Sequence, residues 1–188
     1  MKWTIPTAEG FRPHKFLQLL LITSLILITL MTLSSSFNRH PDEINHFLAA
    51  QYYLYHSIPP VIDDPDIRES YSGYGVSYLN YNWAEYLFAG KFAYAVSPLI
   101  PDTLTAVRLS SVFLFASLMI FFIYRAREGL EHFIIPCFLL ITPQIWYVFS
   151  YINNDAFALF ISILIACQIA YEKSFLNRFL RSDDFSRN

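Results

Sequence analysis

Apolar and polar positions along this chain fall into long blocks. No charged residue lies between Lys15 and Arg39, and residues 16–33 are dominated by Leu and Ile. That is close to the roughly 20 residues that cross a bilayer core. Three more uncharged blocks follow: 109–124 between Arg108 and Arg125, 133–151, and 156–171 between Asp155 and Glu172. With neighbouring uncharged residues recruited, they predict transmembrane helices over 16–37, 103–124, 133–152 and 156–171. The first block exceeds the apolar run of a signal peptide, about 7 to 15 residues. Thr32–Phe37 also has no small-residue cleavage pattern, so an uncleaved anchor is expected. Pro136 and Pro143 interrupt the third block and predict kinks.

The stretch 38–102 breaks the pattern. It is too long for a linker and too aromatic for a disordered one, and its rings suit a membrane–water boundary or a groove. Helical spacing of Ile44, Phe47, Leu48, Gln51, Tyr52 and Tyr55 predicts one amphipathic helix from Pro41 to about Tyr55. Trp83, Leu87, Lys91 and Tyr94 predict a second over 82–96. Pro59-Pro60 stops the first, and Pro98 and Pro101 close the second. Between them lie an acidic turn, Asp63-Asp64-Pro65-Asp66, and a flexible one, Ser72–Gly75. The acidic run with Glu69 has calcium-like oxygens, but it lacks EF-hand spacing and reads as a solvated loop.

Composition agrees with a membrane solvent. Hydrophobic residues make up 55% of the 188, and charged ones only 15%, against about 25% in soluble domains. The net charge of -2 gives no basic field for nucleic acid. No Walker loop, G-x-S-x-G, H-E-x-x-H or dinucleotide fingerprint is present. Charge also orients the chain. With the N-terminus inside, nine of the 13 basic residues fall on the cytoplasmic side and four outside, as the positive-inside rule asks. The expected fold is therefore all-α and integral to the membrane: about four transmembrane helices, with a large extracytoplasmic loop carrying two interfacial helices after the first. The segments 1–15, 125–132 and 172–188 are cytoplasmic, and 38–102 and 153–155 are outside. Cys137 and Cys167 lie toward the cytoplasmic ends of their helices and read as reduced, buried thiols.

Candidate chemistry gathers where the first span emerges, at Arg39-His40-Pro41-Asp42-Glu43-Ile44-Asn45-His46. Proline and two acids suit a helix N-terminus for structural reasons alone. The functional reading is a pair of carboxylates, Asp42 and Glu43, able to accept a proton from an attacking hydroxyl, with Arg39 or His40 beside them for a phosphate. Asp42, Glu43 and His46 share a helical face. A lone E-x-x-H lacks the further ligands of a metal site, so no cofactor is assigned, with a divalent metal kept as an alternative. In the outer turn Tyr151-Ile152-Asn153-Asn154-Asp155 the Asn and Asp residues suit a plain cap for the fourth span, or else Asn154 and Asp155 line the same outer cavity. Arg108 either snorkels to the interface or clamps an anion.

These residues, in this order, resemble the GT-C superfamily of membrane glycosyltransferases, which use polyprenyl-phosphate-linked sugars. His40-Pro41-Asp42-Glu43 with His46 matches the acidic motif that follows the first span. Arg108-Leu109-Ser110-Ser111 matches the R-L-P-S-like start of the second. Thr142-Pro143-Gln144 through Tyr151-Ile152-Asn153-Asn154-Asp155-Ala156 looks like a third element found in bacterial relatives. The resemblance covers about residues 16–171. It implies a transferase of the bacterial inner membrane in which Asp42 and Glu43 supply the base or orient the acceptor. Arg39, His40, His46, Arg108, Asn154 and Asp155 would bind substrate. The implied partners are a lipid-linked sugar donor and membrane lipids. Family members have eight or more spans, so the expectation is an N-terminal half or truncated form, completed by a C-terminal half or a partner subunit. Two alternatives stand beside it: a non-catalytic scaffold binding lipid or a partner through the aromatic loop, and a transporter fragment, suggested by the broken third span.

Overall fold

The computed structural model describes residues 13–61, 64, 65, 67, 77–79, 83–125 and 131–170. Within them the chain is all helical: α1 (Pro13–Ser34), α2 (Glu43–Tyr55), α3 (Trp83–Val96), α4 (Thr103–Arg125), α5 (Glu131–Leu140), α6 (Pro143–Phe149) and α7 (Asn154–Ala170). Most of the acidic run (Asp63, Asp66 and Glu69), the Ser72–Gly75 turn and both chain ends lie outside the described residues.

Two helices are long and apolar enough to cross a membrane, Lys15–Ser34 and Thr103–Arg125. α1 leaves Leu19, Ile22, Ile26, Leu30 and Leu33 exposed along one ridge. An apolar ridge of this length suits hydrocarbon, not water. The span hydroxyls find partners within their own helix: Thr23, Ser24, Thr29 and Thr32 each donate to the carbonyl four residues back. Polar atoms are thereby satisfied without water. Asp102 starts α4, accepting the Thr105 N–H at 2.8 Å through its carboxylate. Hydrogen bonding from the Thr105 side chain, and then from that N–H, holds its carboxyl below the usual carboxylate range.

The third uncharged block is not one continuous helix. α5 ends at Leu140, Thr142 turns extended (φ -79°, ψ 130°), and α6 restarts with Pro143 at its first position. Proline has no N–H to continue the ladder and forces the residue before it out of helical conformation. Pro136, by contrast, is accommodated inside α5. α6 then meets α7 at 117°, and this bent pair would make a third span if it is read as one. The turn before α7 falls at Ser150–Asn153, slightly earlier than the 153–155 expected.

α4 is the hub and touches every other helix. One apolar core joins α1, α4, α5, α6 and α7 through Leu21, Ile28, Phe115, Leu118, Phe122, Leu140, Phe149 and Ile163. A second joins α2, α3 and the start of α4. The two amphipathic helices fall where their spacing predicts. α2 buries Glu43, Asn45, His46, Ala49, Ala50 and Tyr53, and α3 buries Glu85, Tyr86, Ala89, Gly90 and Ala93. Four residues of the two sequence stripes, Ile44, Tyr55, Trp83 and Tyr94, are exposed. Small residues form the contact between α2 and α3, because Ala49, Ala50, Ala89 and Gly90 let the backbones touch. A Cβ on Gly90 would lie 2.6 Å from the Ala50 carbonyl oxygen, and only glycine permits that approach.

Candidate functional site

The acidic motif sits in the link between α1 and α2. Residues 35–42 unwind, and two of them, Asn38 (φ 56°) and Asp42 (φ 53°), adopt the left-handed conformation. Asn and Asp tolerate it better than other side chains, and such strain concentrates at functional sites. Pro41 therefore lies before the helix and not at its first position, and Asp42 is the N-cap. The Asp42 backbone carbonyl accepts from Asn45 N (2.9 Å) and His46 N (3.2 Å). Its carboxylate does not cap the helix and stays exposed.

Glu43 does the reverse, its side chain being fully buried. Arg108 Nε donates to Glu43 Oε1 at 2.6 Å, and Arg108 is itself only 3% exposed. The guanidinium also donates to the carbonyls of Thr32 (3.2 Å), Ser35 (2.6 Å) and Ser36 (3.1 Å). Arg108 thus caps the C-terminal end of α1, where orphan carbonyls and the negative end of the dipole favour a cation. Four of its five N–H groups are engaged by protein, so it neither snorkels nor sits open to an anion. Glu43 Oε2 has no partner among the described residues, and neither does His40 Nδ1.

His40 lies against this pair. Its Nε2 meets Ser35 Oγ at 2.9 Å, and its ring stacks on Tyr151 with centroids 4.2 Å apart and planes 8° apart. Burial lowers its pKa; Glu43 opposes that shift and Arg108 adds to it. Thr32 Oγ1 ties the same region to the α6–α7 turn by sharing its one proton between the Ile28 and Ser150 carbonyls, each at 2.9 Å.

A polar chain runs from His46 across to α7. His46 Nδ1 is 2.8 Å from Tyr86 Oη, and the Tyr86 hydroxyl donates to Asn154 Oδ1 at 2.5 Å. The His46 ring also stacks on Tyr78 at 5.0 Å. Burial lowers the His46 pKa against opposition from Asp42, Asp155 and Glu43. Burial raises that of Tyr86. The cap of α7 is Asn153, whose Oδ1 accepts Ala156 N at 2.9 Å. Asn154 is thereby left for Tyr86, and Asp155 stays exposed on the first turn.

The seven polar residues Asp42, Glu43, His40, His46, Arg108, Asn154 and Asp155 thus meet at one end of the bundle, joined by contacts or by mutual electrostatic influence. Arg39 lies beside them, exposed and with no ion-pair partner among the described residues. No group of three His, Cys, Asp or Glu among the described residues is placed to hold a metal. Two residues escaped the sequence reading. Tyr86 is one of 13 tyrosines and nothing singles it out. Glu85 is 5% exposed, with its carboxyl pushed well up by burial and by Asp155. An acid in the otherwise uncharged run from 82 to 90 was its signal.

No family profile, curated protein or solved structure matches this chain.

Proposed function

We propose that this chain carries the acidic site of an integral membrane glycosyltransferase that moves a sugar from a polyprenyl-phosphate donor to an acceptor hydroxyl. Four spans would place both termini in the cytoplasm and the site on the extracytoplasmic face, with α2 and α3 at the interface. The exposed apolar side chains of Ile44, Tyr55, Trp83 and Tyr94 support that placement. The single observation that carries the reading is the convergence of acids, His46 and Asn154 from α2, α3, α4 and α7 around a free Asp42 carboxylate.

In this reading Asp42 takes the acceptor proton as the hydroxyl oxygen bonds to the sugar carbon. The carbon–oxygen bond to the phosphate breaks, and the electron pair leaves on the lipid phosphate. Arg39 is the exposed cation nearest in sequence and suits that phosphate. Glu43 and Arg108 act as positioning residues, since their pair fixes the start of α2 against the end of α1. Asn154 holds Tyr86, and Asp155 faces the same mouth.

The test is lipid-linked sugar transfer by protein reconstituted in liposomes, with and without a chelator. Asp42→Asn should abolish transfer while leaving membrane insertion intact. Full activity in that variant removes Asp42 as the base. Labelling of a cysteine at position 42 should occur from the extracytoplasmic side, and labelling only from the cytosol overturns the orientation. One observation favours the non-catalytic scaffold: Arg108, the best candidate anion clamp in the sequence, is spent on protein acceptors. A wild type that binds donor lipid without transferring its sugar would establish that reading.

A further inference from the structure

At the end of α2 away from the acids, three helix ends enclose a cavity of about 90 Å³. Leu54 and Tyr55 of α2 form one side of it, Ala93 and Tyr94 of α3 another, and Ile100 with Ala106 of α4 completes the wall. Leu54 stands roughly 16 Å along α2 from Glu43, so this is a separate place from the polar cluster. Small side chains create the space. Ala93 and Ala106 are both buried, and a bare methyl group at each leaves room that a larger residue would fill.

Size and lining restrict what enters. Pockets for whole small-molecule ligands run to about 300–1,000 Å³. An apolar cavity of about 150 Å³ takes one benzene, so this smaller one suits a short run of hydrocarbon. Ser97 on its edge is already satisfied, donating to the Tyr94 carbonyl at 2.8 Å. The mouth lies at Tyr55 and Tyr94, which line the cavity and yet are 79% and 57% exposed, with their rings edge to face. Leu99, next to Ile100, is 85% exposed. Large side chains left bare around one opening are costly in water and favourable at a bilayer boundary. α4 is long and apolar enough to cross a membrane, and at about 34 Å it slightly exceeds a hydrocarbon core of about 30 Å. Its first turn, which supplies Ala106, therefore lies where hydrocarbon meets headgroups. A cation stands there too: Lys91 Nζ donates to the Leu54 carbonyl at 3.5 Å and has no acidic partner among the described residues.

We propose that this cavity is a phospholipid site, taking the headgroup-proximal methylenes of one acyl chain between the two tyrosines while the lipid phosphate meets Lys91. The bound lipid fastens the far end of the α2–α3 pair to the bilayer, as the Glu43–Arg108 pair fastens the near end to α1. The site needs α4 as a membrane-crossing helix and nothing from the transferase chemistry.

The test uses the full chain. In native mass spectra from detergent, titrated with dioleoyl phosphatidylglycerol, wild type should retain one lipid more tightly than the rest. Ala106→Leu, which fills the space from α4, should weaken that first adduct about tenfold, the effect of losing about two buried methylenes. Ala93→Leu should do the same from α3. Tyr94→Ala changes an exposed residue, so it weakens the adduct without disturbing the fold and keeps the test open if a filled variant does not fold. Lys91→Gln should remove the preference for phosphatidylglycerol over dioleoylglycerol, which has the same chains and no phosphate. In nanodiscs, bimane on Leu99→Cys should be quenched by phosphatidylglycerol with brominated chains and shielded from iodide. A first adduct unchanged in folded Ala106→Leu or in Tyr94→Ala, an undiminished phosphate preference in Lys91→Gln, or a bimane open to iodide and unquenched by the bromolipid each overturns the proposal. So does a wild-type dimer that Ala106→Leu disperses, which gives the cavity to a second copy of the chain. A protein that retains lipid in this way but transfers no sugar refutes the transferase reading and leaves the lipid site standing.

Discussion

Replacing Glu43 and Arg108, singly and together, gives the sharpest test of how the site is held. Removing one partner of a buried ion pair strands the other charge and costs about 3–5 kcal/mol. Both partners are almost completely buried here, so Glu43→Leu and Arg108→Met should each fall in that range. Exchanging both for apolar residues removes the stranded charge, a change that ranges from neutral to stabilising by about 1–4 kcal/mol. Arg108 also serves three carbonyls at the end of α1. Of these, Thr32 is buried and its orphaned carbonyl costs about 1–3 kcal/mol, whereas the exposed Ser36 regains water. The double variant should therefore lie within about 3 kcal/mol of wild type, against about 6–10 kcal/mol if the single losses added. Reversible unfolding in mixed detergent micelles, followed by circular dichroism and tryptophan fluorescence, measures the cycle. A Glu43→Leu variant within about 1 kcal/mol of wild type, or a double variant equal to the sum of the singles, refutes the reasoning.

Gly90→Ala should destabilise by up to about 2 kcal/mol in the same assay, because overpacking costs about 1–3 kcal/mol against a helix-propensity gain of about 1 kcal/mol. The obstructing atoms include backbone of Ala50 and Tyr53, which cannot rotate away; equal or higher stability would show that α2 and α3 sit further apart. Glu85 predicts a pH dependence. Its folded pKa is raised, first by burial and then by Asp155, so its contribution is fully present below the unfolded value and is lost as pH rises toward the folded one, by at most about 1.4 kcal/mol per pH unit. Unfolding measured from pH 5 to 8 should show stability falling, and Glu85→Gln should flatten the slope; a wild-type stability that rises over this window contradicts the assignment.

Much of the site was legible because an apolar chain leaves its polar residues few reasons to be where they are. Asp42, Glu43, Arg108 and Asn154 stand at helix ends in a sequence with little charge, and burial at those ends demands partners. Which partner each would find was less visible. Arg108 looked open to an anion because nothing in the sequence shows that α1 ends beside it. The stripes of α2 and α3 are readable from spacing, but the surface on which the two helices meet is not. It is built from alanine and glycine, and such contacts depend on two segments far apart in sequence. The third apolar block was read as a kinked span, whereas the extended Thr142 ahead of Pro143 splits it into two helices. Tyr86 could not be found at all, since its importance lies only in the 2.8 and 2.5 Å contacts it makes to residues 40 and 68 positions away.

Arg108 works as a rivet between a span and the acids above it. A helix whose apolar length is out of step with its bilayer tilts or slides along the membrane normal. The guanidinium grips the carbonyls at the end of α1 and the Glu43 carboxylate together, so any such slide carries the first turn of α2 with it. Bilayer thickness would thereby act on the position of the Glu43 carboxylate through protein bonds alone.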